Sequence, residues 1–548
     1  MRHPRHCFFL LTALLACLPA ILDAQAGSQP RRIVGYYTSW SVYARNYHVA
    51  QIPGDKITHI NYAFANLTAG KIVLGDRYAD IDKFYPGDSW APGALRGNFN
   101  QLHKLKQKHP QLRTLISIGG WTWSGNFSDA VLTQSARRVF AQSCVDFIVQ
   151  YGFDGVDLDW EYPGGGGLGG NTSRPQDPQN FTLFLQELRS QLDARGKTNN
   201  TRYLMTIAAG AGPSKIAKLE VEKIHPLLDW INIMTYDYHG PWKGAGNPVT
   251  NFNAPLHPSS ADPTQAPFKT DFNIARSVAL YLARGVPRGK LQVGLAFYGR
   301  GYGGVSASSS TGLFASYTGV PGRGTWENGV FDFDDIASNY AGKNGYTVRR
   351  DSESRCPWVY SPTARIMISY DDRQSIEDKV WFIKGAGLGG AMFWEFSGDR
   401  QSALLDVVAS GIRHAPRLWS DHQAMSVQGP SRARLRIETD VSHARRGYVV
   451  VFGLSGRRPG LPLPGGTFPI NPDLVFDLSL ALANSSVFPG TIGVLGTDGS
   501  ADLALDLRGQ QLGAALIGLD LSAAAWILRS TAALNGQASN PLDIRFTR

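Results

Sequence analysis

Residues 154 to 161 read Asp154-Gly155-Val156-Asp157-Leu158-Asp159-Trp160-Glu161. Asp157, Asp159 and Glu161 sit two apart and alternate with Val156, Leu158 and Trp160. On a β-strand, residues i, i+2 and i+4 share a face, so the acids point one way and the apolar residues the other. Carboxylates at neighbouring same-face positions lie about 6.5–7 Å apart at the backbone. Like charges so crowded cannot all ionise cheaply, and at least one should keep its proton near neutral pH. A proton held beside a carboxylate that can accept it is what general acid catalysis requires. Two plainer readings compete. A solvated acidic face fits badly with the apolar opposite face and the Gly-rich flank. A calcium loop needs Gly at its sixth position and Glu at its twelfth, where this chain has Tyr162 and Leu168.

Outward from this segment, residues 32 to about 411 alternate short apolar runs with helical stretches. The runs predict strands at Ile33–Tyr37, Ile57–Phe64, Thr114–Ile118, Gly155–Trp160, Leu204–Ala208, Trp230–Met234, Leu291–Ala296 and Gly390–Trp394. Helical patterns fall between them at Ser135–Tyr151, Asn180–Ala194, Asn273–Ala283 and Ser375–Ala386. Eight strands with helical connections predict an α/β fold of the closed (β/α)8 TIM barrel type, spanning 32–414, with the acids at the C-terminal end of the fourth strand. Between the seventh and eighth strands, residues 301–361 are expected to replace a helix with a small α+β insertion. Its aromatic residues, among them Tyr302, Phe314, Tyr317, Trp326, Phe331, Phe333 and Tyr340, suit a packed subdomain walling one side of the site.

After His414 the texture changes. Residues 415–429 read as a linker and 430–548 as a β-sandwich, with alternating runs at Tyr448–Leu454, Leu474–Leu482 and Ala501–Leu507 and a hairpin signal at Asp498-Gly499. Tyr448, Phe452 and Trp526 read as core of that module rather than as a ligand surface. At the other end, Arg2 and Arg5 precede an apolar run to Leu22 and then Ala24-Gln25-Ala26, the layout of a secretory signal spanning 1–26. A lipoprotein tether through Cys17 is the weaker reading of the same segment. No later run reaches the roughly 20 apolar residues of a membrane span. Of four cysteines, Cys7 and Cys17 leave with the signal, and Cys144 and Cys356 cannot make a disulfide framework. The net charge of +10 is not gathered into a nucleic-acid motif, so it reads as a general surface property.

The segment Phe153–Pro163 resembles the Asp-x-x-Asp-x-Asp-x-Glu signature of family 18 glycoside hydrolases, the chitinases and their relatives. Ser117-Ile118-Gly119-Gly120-Trp121 resembles the family's third-strand motif, and Met234-Thr235-Tyr236-Asp237 its sixth-strand motif. Phe297-Tyr298-Gly299-Arg300-Gly301 and Ala391-Met392-Phe393-Trp394 resemble the ends of strands seven and eight. Glu327-Asn328-Gly329-Val330 and Ile368-Ser369-Tyr370-Asp371-Asp372 resemble the deep-cleft bacterial and fungal subgroup. The C-terminal region, through Gly465-Gly466-Thr467 and Asn471-Pro472-Asp473, resembles β-rich modules of secreted bacterial proteins, a resemblance that implies no activity.

The family resemblance implies a retaining, substrate-assisted mechanism in place of a carboxylate nucleophile. In it Glu161 protonates the glycosidic oxygen and later activates water. Asp159 orients the acetamide, Asp157 shares a proton with Asp159, and Tyr236 hydrogen-bonds the acetamide oxygen. Asp237 lies beside the sugar and tunes Glu161. Trp394 is the expected floor under the sugar ring and Trp121 the platform on the leaving-group side, with Tyr36, Phe64, Tyr298, Arg300 and Trp242 as further cleft contacts. The implied substrates are chitin or chito-oligosaccharides, with no metal, no cofactor and a monomeric, secreted enzyme. An endo-N-acetylglucosaminidase acting on glycans or peptidoglycan is the alternative enzyme. A non-catalytic chitin-binding lectin fits less well, because the acid and both supporting aspartates are present.

Overall fold

The computed structural model describes residues 31–547 except 243, 245–246, 414–415, 422–423, 428–431, 440–442, 457–459, 464–465, 509–515, 529–535 and 540–541. The segment read as a signal, with Cys7 and Cys17, lies outside the described residues. Two compact units are present, Arg31–Ala409 and the residues from Ser410 onward.

The larger unit is built on eight parallel strands: β1 (Arg32–Thr38), β2 (His59–Thr68), β3 (Arg113–Gly119), β4 (Gly155–Asp159), β5 (Leu204–Gly210), β6 (Trp230–Met234), β7 (Leu291–Ala296) and β8 (Gly390–Trp394). Each pairs with its sequence neighbours, and β1 pairs with both β8 and β2, so the sheet closes into a barrel. Strands covered on both faces read as continuous apolar runs, which is why the eight segments stand out in the sequence. The helices outside the barrel begin and end on local signals. Gln134–Tyr151 starts at Thr133, whose side chain accepts the Ala136 amide, and stops at Gly152 with φ +69°. Asp372 caps Arg373–Gly385 by accepting the Ser375 amide on its side chain, and its own amide donates to the Ser375 hydroxyl oxygen. Each such cap contributes about 1 kcal/mol.

Several features differ from the sequence reading. Between β1 and β2 only single 3₁₀ turns occur, Ser39–Val42 and Val49–Gln51. The insertion precedes the helix before β8 rather than replacing it, and it is longer than residues 301–361. Its antiparallel sheet runs, in spatial order, Val330–Asp332, Tyr298–Gly303, Ile366–Ser369, Pro357–Ser361 and Thr347–Arg350. The insert thus begins two residues past the end of β7, because the backbone there turns directly from a parallel to an antiparallel ladder. Its core gathers Phe252, Tyr302, Val305, Trp358, Tyr360 and Met367.

In the smaller unit, a three-stranded sheet (Arg417–Ser420, Arg432–Glu438, Ser500–Asp506) and a larger one containing Gly447–Gly453 and Asp520–Leu528 share one core. Arg417–Ser420 pairs with Arg432–Glu438, and Ala424–Ser426 with Leu542–Thr547, so most of the expected linker belongs to the module. Leu474–Leu482 is not a strand. Leu474–Ala481 is a helix, started by the Asp473 side chain accepting the Phe476 amide. It packs Phe476 and Leu480 against Val449, Val451 and Trp526 on the second face of the larger sheet. The chain does turn at Asp498-Gly499, but the strands on either side, Ile492–Val494 and Ser500–Asp506, lie in different sheets and form no hairpin. Tyr448, Phe452 and Trp526 are core. Cys144 and Cys356 are both free and buried. Among the described residues no helix is long and apolar enough to cross a membrane.

Candidate active site

The C-terminal ends of the barrel strands bring the acids and aromatics together. On β4, Asp157 points into the barrel and is wholly buried. Its Oδ2 accepts the Tyr36 hydroxyl of β1 at 2.6 Å and the Ser117 hydroxyl of β3 at 2.8 Å. Its Oδ1 accepts Thr206 Oγ1 of β5 at 2.5 Å and Asn232 Nδ2 of β6 at 3.1 Å. Burial pushes this carboxyl up, and the four donors pull it back. Asp159, one repeat further along the strand, has no such support. It is buried, its Oδ1 has no hydrogen-bond partner, and burial together with the charges of Glu161 and Asp157 lifts it well above the carboxylate range.

Glu161 lies two residues past the last paired position of β4. Its amide donates to Ser124 Oγ at 2.8 Å, and that oxygen also lies 3.2 Å from the Asp159 carbonyl. Burial raises the Glu161 carboxyl to about 7. The Tyr162 hydroxyl and Lys215 oppose the rise, and the charge of Asp237 adds to it. The backbone nearby requires glycine. Gly119 has φ +104°, and a Cβ there would come within 2.5 Å of the Asp159 carbonyl oxygen. At Gly120 a Cβ would meet the Phe64 ring at 2.6 Å. The peptide bonds Ala63–Phe64, Glu161–Tyr162 and Trp394–Glu395, all at this end of the barrel, are cis.

Tyr236 and Asp237 follow β6. The Tyr236 hydroxyl lies 3.7 Å from Met392 Sδ, and burial with the surrounding carboxylates keeps it protonated and able to donate. Asp237 has φ +56° and is pinned by its amide to Asn253 Oδ1 at 3.0 Å. Arg300 grips its carboxylate with two bonds, Nε at 2.8 Å and Nη2 at 2.6 Å, and the Tyr298 hydroxyl adds a third at 2.9 Å. Such a planar fork on a carboxylate is among the stronger charge-assisted contacts.

The aromatic candidates separate by exposure. Trp121 is 49% exposed and Trp242 39% exposed, while Trp394 is partly open. Phe64 is only 8% exposed and lies nearly parallel to Trp394, with centroids 5.8 Å apart, so it backs that ring rather than offering its own face. Tyr36, 1% exposed, is a donor to Asp157, and buried Tyr298 a donor to Asp237. Arg300 is committed to Asp237, with the Trp242 ring 5.4 Å from its guanidinium. Each of these three is engaged with an aspartate.

The sequence reading passed over Thr206, Asn232, Ser124 and Lys215, and also Trp40, whose ring lies 6.4 Å from Trp394. Thr206 and Asn232 could have been found by the alternation that exposed the acids, since both are polar at inward positions of otherwise apolar strands. Among the described residues, no group of three or more His, Cys, Asp and Glu side chains is gathered to hold a metal ion.

Residues 32–399 match the family described as Glycosyl hydrolases family 18. Chitinase A1 of Niallia circulans is 45% identical over 467 residues, which span 78% of this chain and 66% of that protein. Chitinase 1 of Aphanocladium album is 36% identical over 406 residues, 71% of this chain and 89% of that protein. Among solved structures, Chitinase ChiA74 from Bacillus thuringiensis superposes with a TM-score of 0.64 at 31% identity, covering 95% of this chain and 85% of that one. With the barrel, the acid row and the family match covering the same residues, the chain belongs to the glycosyl hydrolases of family 18.

Proposed function

We propose that this protein is a secreted chitinase that hydrolyses β-1,4-linked N-acetylglucosamine polymers with retention of configuration. The relatives named above are chitinases, and the arrangement at the mouth of the barrel fits the chemistry. The observation that carries the mechanism is the unequal treatment of three neighbouring carboxyls. Asp157 is held as the ionised member by four donors, Asp159 keeps the proton, and Glu161 is poised near neutrality.

Glu161 donates its proton to the glycosidic oxygen, a role suited to a carboxyl titrating at about 7. The acetamide carbonyl of the sugar on the Trp394 side attacks its own anomeric carbon, forming an oxazolinium ion. Asp159 passes its proton to the ionised Asp157, and the carboxylate so formed orients the acetamide nitrogen and balances its developing charge. Tyr236 donates to the acetamide oxygen. Glu161, now a carboxylate, takes a proton from the water that opens the ring. Trp394 and Trp121 supply flat faces that bind sugar rings with little loss of side-chain freedom. Secretion belongs to the same proposal and rests on the first 26 residues. The enzyme is read as a monomer.

Glu161→Gln tests the reading. Turnover of colloidal chitin should fall by several orders of magnitude while chito-oligosaccharide affinity persists. Near-normal turnover would overturn the assignment. Proton NMR of the fresh product should show the β-anomer first, and the α-anomer first would overturn the retaining mechanism.

A further inference from the structure

The chain leaves Glu161 through Tyr162-Pro163 into four glycines, Gly164 to Gly167. This loop is held from outside by two lysines that the mechanism does not use. Lys218 donates to the carbonyls of Gly164 at 2.7 Å and Gly165 at 3.0 Å. Lys215 stands in the short helix Pro213–Ile216, just after β5, and donates to the Gly166 carbonyl at 2.5 Å. The same ammonium lies 3.9 Å from the centroid of the Tyr162 ring, close enough for a strong cation–π contact. The end of β5 is shaped to admit the pair. A Cβ at Gly210 would come within 2.7 Å of Lys215 Cβ and 3.3 Å of the Tyr162 ring. A cation is thus seated on the aromatic residue adjacent to the acid, and the hydroxyl of that residue interacts with the acid's carboxyl.

We propose that Lys215 is a positioning residue for Glu161: seated on Tyr162, it holds a positive charge beside the carboxyl and fixes the ring whose hydroxyl reaches it. The proposal rests on the reading of Glu161 as the general acid.

The groups facing Glu161 come from three sides. Asp159 on β4 and Asp237 after β6 are acidic, and Tyr236 offers a neutral hydroxyl. Only Tyr162 and Lys215 work in the opposite direction. Left with its acidic neighbours alone, the carboxyl would be raised further. Lys215 is itself lowered to about 8 by burial and by Lys218, with Glu161 opposing, so it is largely charged at the pH near 7 where Glu161 titrates.

The test is the pH profile of kcat/KM for the full chain on a chromogenic chito-oligosaccharide. In Lys215→Met the charge that favours ionised Glu161 is gone, so the alkaline limb should move up by about one pH unit. Lys215→Arg, which keeps charge and ring contact, should restore it. A limb that stays in place in Lys215→Met, with activity lowered evenly at every pH, would make Lys215 a brace for the glycine loop and overturn the proposal. Should that variant fail to fold, Tyr162→Phe keeps the ring under the ammonium and removes the hydroxyl. Its limb should also move up, and an unmoved limb would overturn the proposal. Active Glu161→Gln would show instead that the acid itself was misassigned, which an inactive one with an unmoved Lys215→Met limb would not.

Discussion

Replacing Thr206 by Val deletes one hydroxyl from the barrel interior and leaves the shape almost unchanged. That hydroxyl donates to Asp157 Oδ1 at 2.5 Å, and neither group touches solvent. A hydrogen bond to a charged group contributes about 1.5–3 kcal/mol, against about 1 kcal/mol for a neutral pair. The deficit of the variant should therefore depend on the charge state of Asp157. Burial places the folded-state pKa of this carboxyl above its ordinary value, and the donors limit the rise. A raised carboxyl stabilises the fold at low pH, and that contribution is lost as pH climbs through the folded value. With one donor fewer the folded value rises further, so the loss deepens. Unfolding by urea should show a deficit of about 1.5–3 kcal/mol near pH 8, shrinking to about 1 kcal/mol or less near pH 4, where folded Asp157 is protonated. An equal deficit at both pH values would refute the view that Asp157 is the ionised member of the row.

Other perturbations separate the remaining parts. Asp237 raises Glu161, so Asp237→Asn should move the alkaline limb of kcat/KM to lower pH than in the wild type, and an upward movement would contradict the assigned coupling. Lys379 and Asp371 form a buried pair with Nζ 2.5 Å from both carboxylate oxygens, and Lys379→Met should cost about 3–5 kcal/mol in thermal or urea unfolding. Adding Asp371→Asn to that variant should recover part of the loss. Asp154 opens the signature but sits at the opposite end of β4 from the acid, receiving Lys106 at 2.6 Å and the Thr114 amide at 2.7 Å. Asp154→Asn should lower stability by about 1–3 kcal/mol and leave kcat within about twofold, as measured by denaturation and steady-state kinetics.

Much of the barrel was legible because its strands are covered on both faces. Trp230–Met234, Leu291–Ala296 and Gly390–Trp394 were readable to the residue from their apolar runs. The acid row was legible because alternation survives in a strand whose inward face is polar. The supports were harder to see. Tyr36, Phe64 and Tyr298 have the composition of sugar platforms, and only burial distinguishes a ring that faces ligand from one that backs its neighbour. Leu474–Ala481 misled for a related reason. Its short alternating pattern suits either a strand or a helix buried along one side, and Asp473, as a cap, decided between them. The module's early start was hidden because Arg417–Ser420 and Ala424–Ser426 are brief and polar-flanked, and the second finds its partner far along the chain.

The strand Tyr298–Gly303 is the root of the insertion's sheet and also the element that carries Tyr298 and Arg300 to Asp237. Ser369, opposite Arg300 in that sheet, accepts the amide of Asn253, which in turn pins the Asp237 backbone. The insert therefore cannot be trimmed or swapped like a decorative flap. An engineer grafting a different cleft wall onto this scaffold inherits responsibility for the ionic partner of Asp237, and a slip of one residue in that ladder would retune the catalyst along with its substrate range.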